Sequence, residues 1–185
     1  MHKTFLTLSA LTLLAATPSL ADDITDVLQS AMDAYEEGDV QYALDELEIA
    51  KQKLLDLKTN ALGAYLPPAP DGWTREDNPE AAAGMGMMGG GVAAEATYSD
   101  GTTRYTINMM ADNAMVASLA GIINNAGVMG LRMERVNRQK FAVQDNEIMG
   151  LVANRILVRI SGADVDTMLA ALGEIDFRAM AGFGS

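Results

Sequence analysis

The chain has 185 residues, with 25 acidic and 13 basic side chains, a formal net charge of −12 at pH 7, one histidine and no cysteine. So negative a balance excludes nucleic acid and anionic membrane surfaces as favoured partners. The lack of cysteine excludes disulfides, thiolate chemistry and a lipid-bearing cysteine.

Residues 1–21 read as a secretory signal peptide. Lys3 supplies the basic start, Phe5 to Ala16 an apolar run, and Ser19-Leu20-Ala21 a cleavage site with small residues at its outer positions. The apolar run is short for a membrane span. Cleavage after Ala21 leaves 164 residues at a net charge of −13, a periplasmic protein with no stable membrane insertion. It also removes His2, the only histidine. The exported chain then lacks the usual base for a Ser or Cys nucleophile. Its lysines, Lys51, Lys53, Lys58 and Lys140, are not placed near a serine in an apolar segment.

Residues 22–64 predict an antiparallel helical hairpin. Ile24, Val27, Leu28, Ala31 and Tyr35 recur on one helix face, with Asp22, Asp23 and Asp26 in the first turn, where the helix dipole favours acids. Gly38 ends the first helix and Asp39 caps the second. Val40, Leu47, Leu54 and Ala61 then repeat every seven residues, as do Ala43, Ala50 and Leu57. Ala34, Tyr35, Gly38, Asp39, Ala43, Leu44 and Ala50 resemble the packing residues of a single tetratricopeptide-type unit. Two helices alone cannot bury both apolar stripes. The hairpin must therefore meet the second domain, another copy of the chain or a partner protein, and Tyr35, Tyr42 and Ile49 are its candidate contact residues. Eleven acids and three lysines between Asp22 and Ala64 make it strongly negative.

Residues 65–72 form a Pro-rich linker. Pro67, Pro68 and Pro70 cannot continue a helix, and Asp71-Gly72 supplies a turn. Trp73, the only tryptophan, is expected to anchor the following domain's core, or to stack against a partner.

Residues 73–185 predict an α+β domain, a two-layer arrangement of antiparallel sheet with two helices. The Gly/Met-rich segment 81–91 reads as a mobile loop. Its Met85, Met87 and Met88 read first as an apolar contact, with thioethers suited to Cu(I) as the alternative. Alternation with a period of two predicts a hairpin around Asp100-Gly101. A two-residue turn there sets Ala96 opposite Tyr105, Ala94 opposite Ile107 and Val92 opposite Met109. A helix follows with Asp112 as its cap, carrying Met115, Val116, Leu119, Ile122 and Ile123. Strands are expected over 131–136, 140–143, 147–152 and 156–160, the last two apolar on both faces. A last helix starts at Asp164, and the Gly-rich residues 179–185 are expected to fray.

The Leu66-to-Trp73 segment, the Gly/Met loop, Tyr98-Ser99-Asp100-Gly101 and Glu174-Ile175-Asp176-Phe177 resemble a group of small exported proteins of Gram-negative bacteria. That likeness implies export and carries no catalytic residues.

No phosphate-cradling or dinucleotide motif is present. Acids on or near turns, Asp71, Glu76, Asp77, Glu95, Asp145 and Glu147, are the candidates for a carboxylate-dependent hydrolase. Arg132, Arg135 and Arg138, with Lys140, depart from the acidic background and suit an acidic partner. The expectation is a non-enzymatic periplasmic binding or assembly protein, meeting another periplasmic protein or itself and needing no cofactor. The alternatives are a Met-based Cu(I) binder and the hydrolase.

Overall fold

The computed structural model describes residues 20–86 and 90–184. The expected signal peptide as far as Ser19, and the candidate copper ligands Met87 and Met88, lie outside the described residues. The chain divides into two compact units, with the boundary between Lys51 and Gln52.

The first unit is the helical hairpin, formed by α1 (Leu20–Glu37) and the first part of α2 (Val40–Gly63). Gly38 turns the chain at φ +86, and its N–H donates to the Tyr35 carbonyl at 3.1 Å. The Asp39 carboxylate accepts from the Tyr42 N–H at 3.1 Å and so caps α2. The residues this unit buries are mainly small: Ala31 and Ala34 with Ile24 on α1, and Ala43 and Ala50 on α2. Alanines in a helix seam allow the backbones to approach closely.

The second unit is built on one sheet of seven strands: β1 (Thr74–Asp77), β2 (Val92–Ser99), β3 (Arg104–Ala111), β4 (Arg132–Val136), β5 (Gln139–Gln144), β6 (Glu147–Val152) and β7 (Ile156–Ser161). The order is β1-β2-β3-β7-β6-β5-β4 and every pairing is antiparallel. Two meanders meet where β3 pairs with β7.

Side chains alternate across a strand, and here both faces are used. One face presents Tyr98, Ile107, Met109, Phe141, Ile148, Val158 and Ile160 to α5 (Val165–Gly173), α6 (Phe177–Met180), Leu62 and Leu66. The other presents Ala93, Met110, Leu151 and Leu157 to Val116 and Ile123 of α4 (Ala114–Asn125), and to Met85. The fold is α+β, as expected, and its two main sheet-packing helices occupy opposite faces. β6 and β7 are covered on both sides, which accounts for their apolar runs.

Four local expectations are corrected. The β2–β3 register is Ala96 to Ile107, Ala94 to Met109 and Val92 to Ala111, two residues away from that of a two-residue turn. The loop is longer because the Asp100 carboxylate accepts from the N–H groups of both Thr102 and Thr103, at 2.8 and 2.7 Å. A shift of two preserves every side chain's face, so the core is unchanged. The cap of α4 is Asn113, whose side chain accepts from the Met115 N–H at 2.7 Å; Asp112 sits at φ +55 and is occupied elsewhere. The described part of the Gly/Met segment is ordered as α3 (Glu80–Ala83) and a 3-10 turn, with Met85 buried. The C-terminal residues do not fray: Phe177, Met180 and Phe183 are buried in the main core.

Candidate functional site

The hairpin leaves large apolar side chains in solvent. Leu28, Met32 and Tyr35 flank the buried Ala31 at offsets −3, +1 and +4, and all three are exposed, Tyr35 by 70%. Val40, Leu44 and Leu47 repeat the same offsets about the buried Ala43, and are exposed too. Equal rotations about two antiparallel helices fall on the same side of the pair, so these six residues form one apolar side. Tyr42, one residue before Ala43, takes the other side. There it lines a groove of about 380 Å³ with Asp26, Asp33, Glu37 and Asp39. Ile49, also exposed, lies two helical turns beyond Tyr42 on the same face of α2. Of the predicted contact residues, Tyr35 thus belongs to the apolar side, and Tyr42 and Ile49 to the acidic one. Reading the large residues as the seam hid this division, whereas the phase of the alanines shows it.

The Pro-rich segment is built into the second unit. Leu66 and Pro67 are buried, and the Tyr98 hydroxyl donates to the Pro67 carbonyl at 2.7 Å. Removing that phenol from water pushes its pKa up to about 12. Trp73 is half-buried against Tyr105, with ring centroids 5.2 Å apart.

The basic cluster separates. Arg132 donates from Nε to Glu134 at 2.8 Å and is thereby paired. Arg135 stands opposite Lys140 in the β4–β5 ladder, and Arg138 sits at φ +69 in the Asn137-Arg138 turn. Arg138 and Lys140 border a cleft of about 620 Å³ whose apolar lining includes Ile123, Val128 and Met133.

Among the thioether candidates, Met85 is committed to the core beside Met110 and Val116. Among the acids, Glu95 accepts from Asn78 at 2.8 Å and from Asn108 at 3.0 Å. Asp77 is paired with Arg75 at 2.7 Å, and Glu147 lies 3.8 Å from Arg159. Asp145 occupies a turn at φ +46, and Asp71 and Glu76 are exposed. Asp112 is tied to Arg155 and Lys58. Burial works against its charge, but these two cations outweigh burial and hold the carboxyl below its ordinary range.

In comparison with known proteins, the chain matches no family model, no curated protein and no solved structure.

Proposed function

We propose that this is an exported, non-enzymatic binding or assembly protein of the periplasm, whose working surface is the apolar side of its N-terminal hairpin. The observation that carries this reading is the six exposed residues Leu28, Met32, Tyr35, Val40, Leu44 and Leu47, arranged in matching phase on two helices. Contiguous exposed apolar surface of this kind marks interaction sites. Residues 22–51 carry ten acids and one lysine. A second copy would bring the same charge against them, whereas an apolar ridge flanked by Lys and Arg would be attracted. The partner is therefore a basic, amphipathic protein surface. A sequence that begins like a signal peptide, and that loses its only histidine on cleavage, supports export and a role without covalent chemistry.

The test is cross-linking capture from periplasm with the exported chain and with the double variant M32E/L44E, followed by titration of the purified partner. Both positions are exposed, so the variant keeps its fold. A partner lost on the variant, whose affinity falls steeply with salt, is the expected result. Equal capture by both chains overturns the assignment, and so does a dimer whose dissociation in the ultracentrifuge is altered by the same substitutions.

A further inference from the structure

In the second unit, a cleft of about 520 Å³ opens between the proline segment and α5, its walls including Pro68, Asp71, Trp73, Tyr105, Ala171 and Glu174. Among the described residues, no Lys or Arg lines it. Three rings follow one another from its wall inward, Trp73 tilted by 44° against Tyr105 at 5.2 Å, and Tyr105 stacked on Tyr98 at 4.9 Å.

The hydroxyl of Tyr98 is used internally, on the Pro67 carbonyl, but that of Tyr105 is not. Tyr105 is only 2% exposed, and its hydroxyl makes no hydrogen bond among the described residues. Every fully buried side-chain polar atom among those residues has a partner. The Tyr105 hydroxyl is therefore not sealed in, and Tyr105 lines this cleft. A phenol that is almost wholly buried yet left without a protein partner is a group available to a ligand. The carboxylates of Asp71 and Glu174 likewise make no hydrogen bond or ion pair among the described residues.

The lining selects a charge type. Two unpaired carboxylates in a lining without Lys or Arg repel an anion, while aromatic rings carry negative π faces that attract cations. Proline and alanine supply an apolar bed for a carbon chain. We infer that this cleft binds an organic cation, an alkylammonium or guanidinium group whose charge faces Asp71, Glu174 and the Trp73 ring and whose carbon body lies on Pro68 and Ala171. The same chemistry is offered by a free amine and by a Lys or Arg side chain of a peptide. The inference is independent of the hairpin's partner.

Trp73 is the only tryptophan, so its fluorescence reports directly on the cleft. The exported chain is titrated at constant ionic strength with tetramethylammonium, butylammonium, N-acetyl-lysine amide and N-acetyl-arginine amide, and with tert-butanol and butanol as neutral counterparts. Saturable change is expected with at least one cation and with neither alcohol. Tighter binding of the acetylated amides assigns a peptide side chain as the source, and tighter binding of the simple amines assigns a free amine. The double variant D71N/E174Q, altered only at exposed carboxylates and checked for folding by near-ultraviolet circular dichroism, is expected to weaken binding about tenfold. Absence of saturation with every cation, an equal response to the alcohols, or unaltered binding by the folded double variant overturns the inference.

Discussion

Arg155 closes on Asp112 as a bidentate pair, Nε to Oδ1 at 3.0 Å and Nη2 to Oδ2 at 2.9 Å, and its Nη1 also donates to the Phe183 carbonyl at 2.8 Å. Lys58 reaches the same carboxylate at 2.7 Å. Both cations lie 5.9 Å from the centre of the Phe183 ring. One carboxylate in a left-handed turn thus gathers the end of β3, the β6–β7 loop, the C-terminal part of α2 and the last residues of the chain.

Replacing Asp112 by Asn is expected to cost about 1–2 kcal/mol at neutral pH, a range set by charge-assisted bonds that solvent partly screens. Because the folded-state pKa is lowered, the contribution is present above the ordinary aspartate value of about 4 and is lost as pH falls through the folded value. Denaturant unfolding of both proteins from pH 7 to pH 2 should show the gap between them closing in acid. A gap independent of pH would refute the ion pair as its source.

Tyr98→Phe removes the donor from the Pro67 carbonyl and keeps the ring stacked on Tyr105. A loss of about 1–2 kcal/mol is expected. The pKa of Tyr98 is raised to about 12, so its stabilising contribution is complete below about pH 10 and declines as pH rises toward the folded value. The variant should therefore lose less stability than the parent between those limits, measured by unfolding in alkaline buffers.

Gly91 lies at φ +92, and a Cβ there would stand 2.5 Å from the Ala111 carbonyl oxygen and 2.9 Å from that of Asp112. Both objections apply to alanine, and Gly91→Ala is expected to destabilise by about 2–4 kcal/mol. A thermal midpoint equal to that of the parent would show that this backbone approach is relaxed in solution.

Phe177 packs with its ring centre 5.3 Å from that of Phe141, tilted by 50°, and both Phe177 and Phe183 are buried. Phe177→Ala and Phe183→Ala should each cost about 3 kcal/mol. Val128→Ala, at a side chain 91% exposed, should change stability by less than about 0.5 kcal/mol. Equilibrium unfolding of the three variants distinguishes a docked C-terminus from a frayed one, for which Phe183→Ala would match Val128→Ala.

The legible parts of this protein were those written in local periodicity and turn chemistry. The strands near 131–160, the hairpin at Asp100-Gly101, the Gly38-Asp39 break and the Asp164 cap all have short-range causes. The candidate surfaces were legible only in part. Tyr35 and Trp73 stood out as large rings, but Tyr105 read as an ordinary inward strand position, Asp71 as one of several acids near turns, and Glu174 only as part of the closing Glu174-Ile175-Asp176-Phe177 segment.

Amino-acid order alone determined the α+β class, the helical hairpin and the identity of most inward-facing residues, because each follows from a repeat of two or of three to four positions. Tertiary structure decided the rest. Whether the glycine-rich end frays depends on Arg155, Lys58 and Tyr65 reaching it from distant parts of the sequence. Which apolar residues remain in solvent depends on alanines, not leucines, occupying the helix seam. The first is an outcome of packing between segments far apart in the chain, about which local periodicity carries no information; the second is set by which of two competing periodic sets on neighbouring helices packs inward.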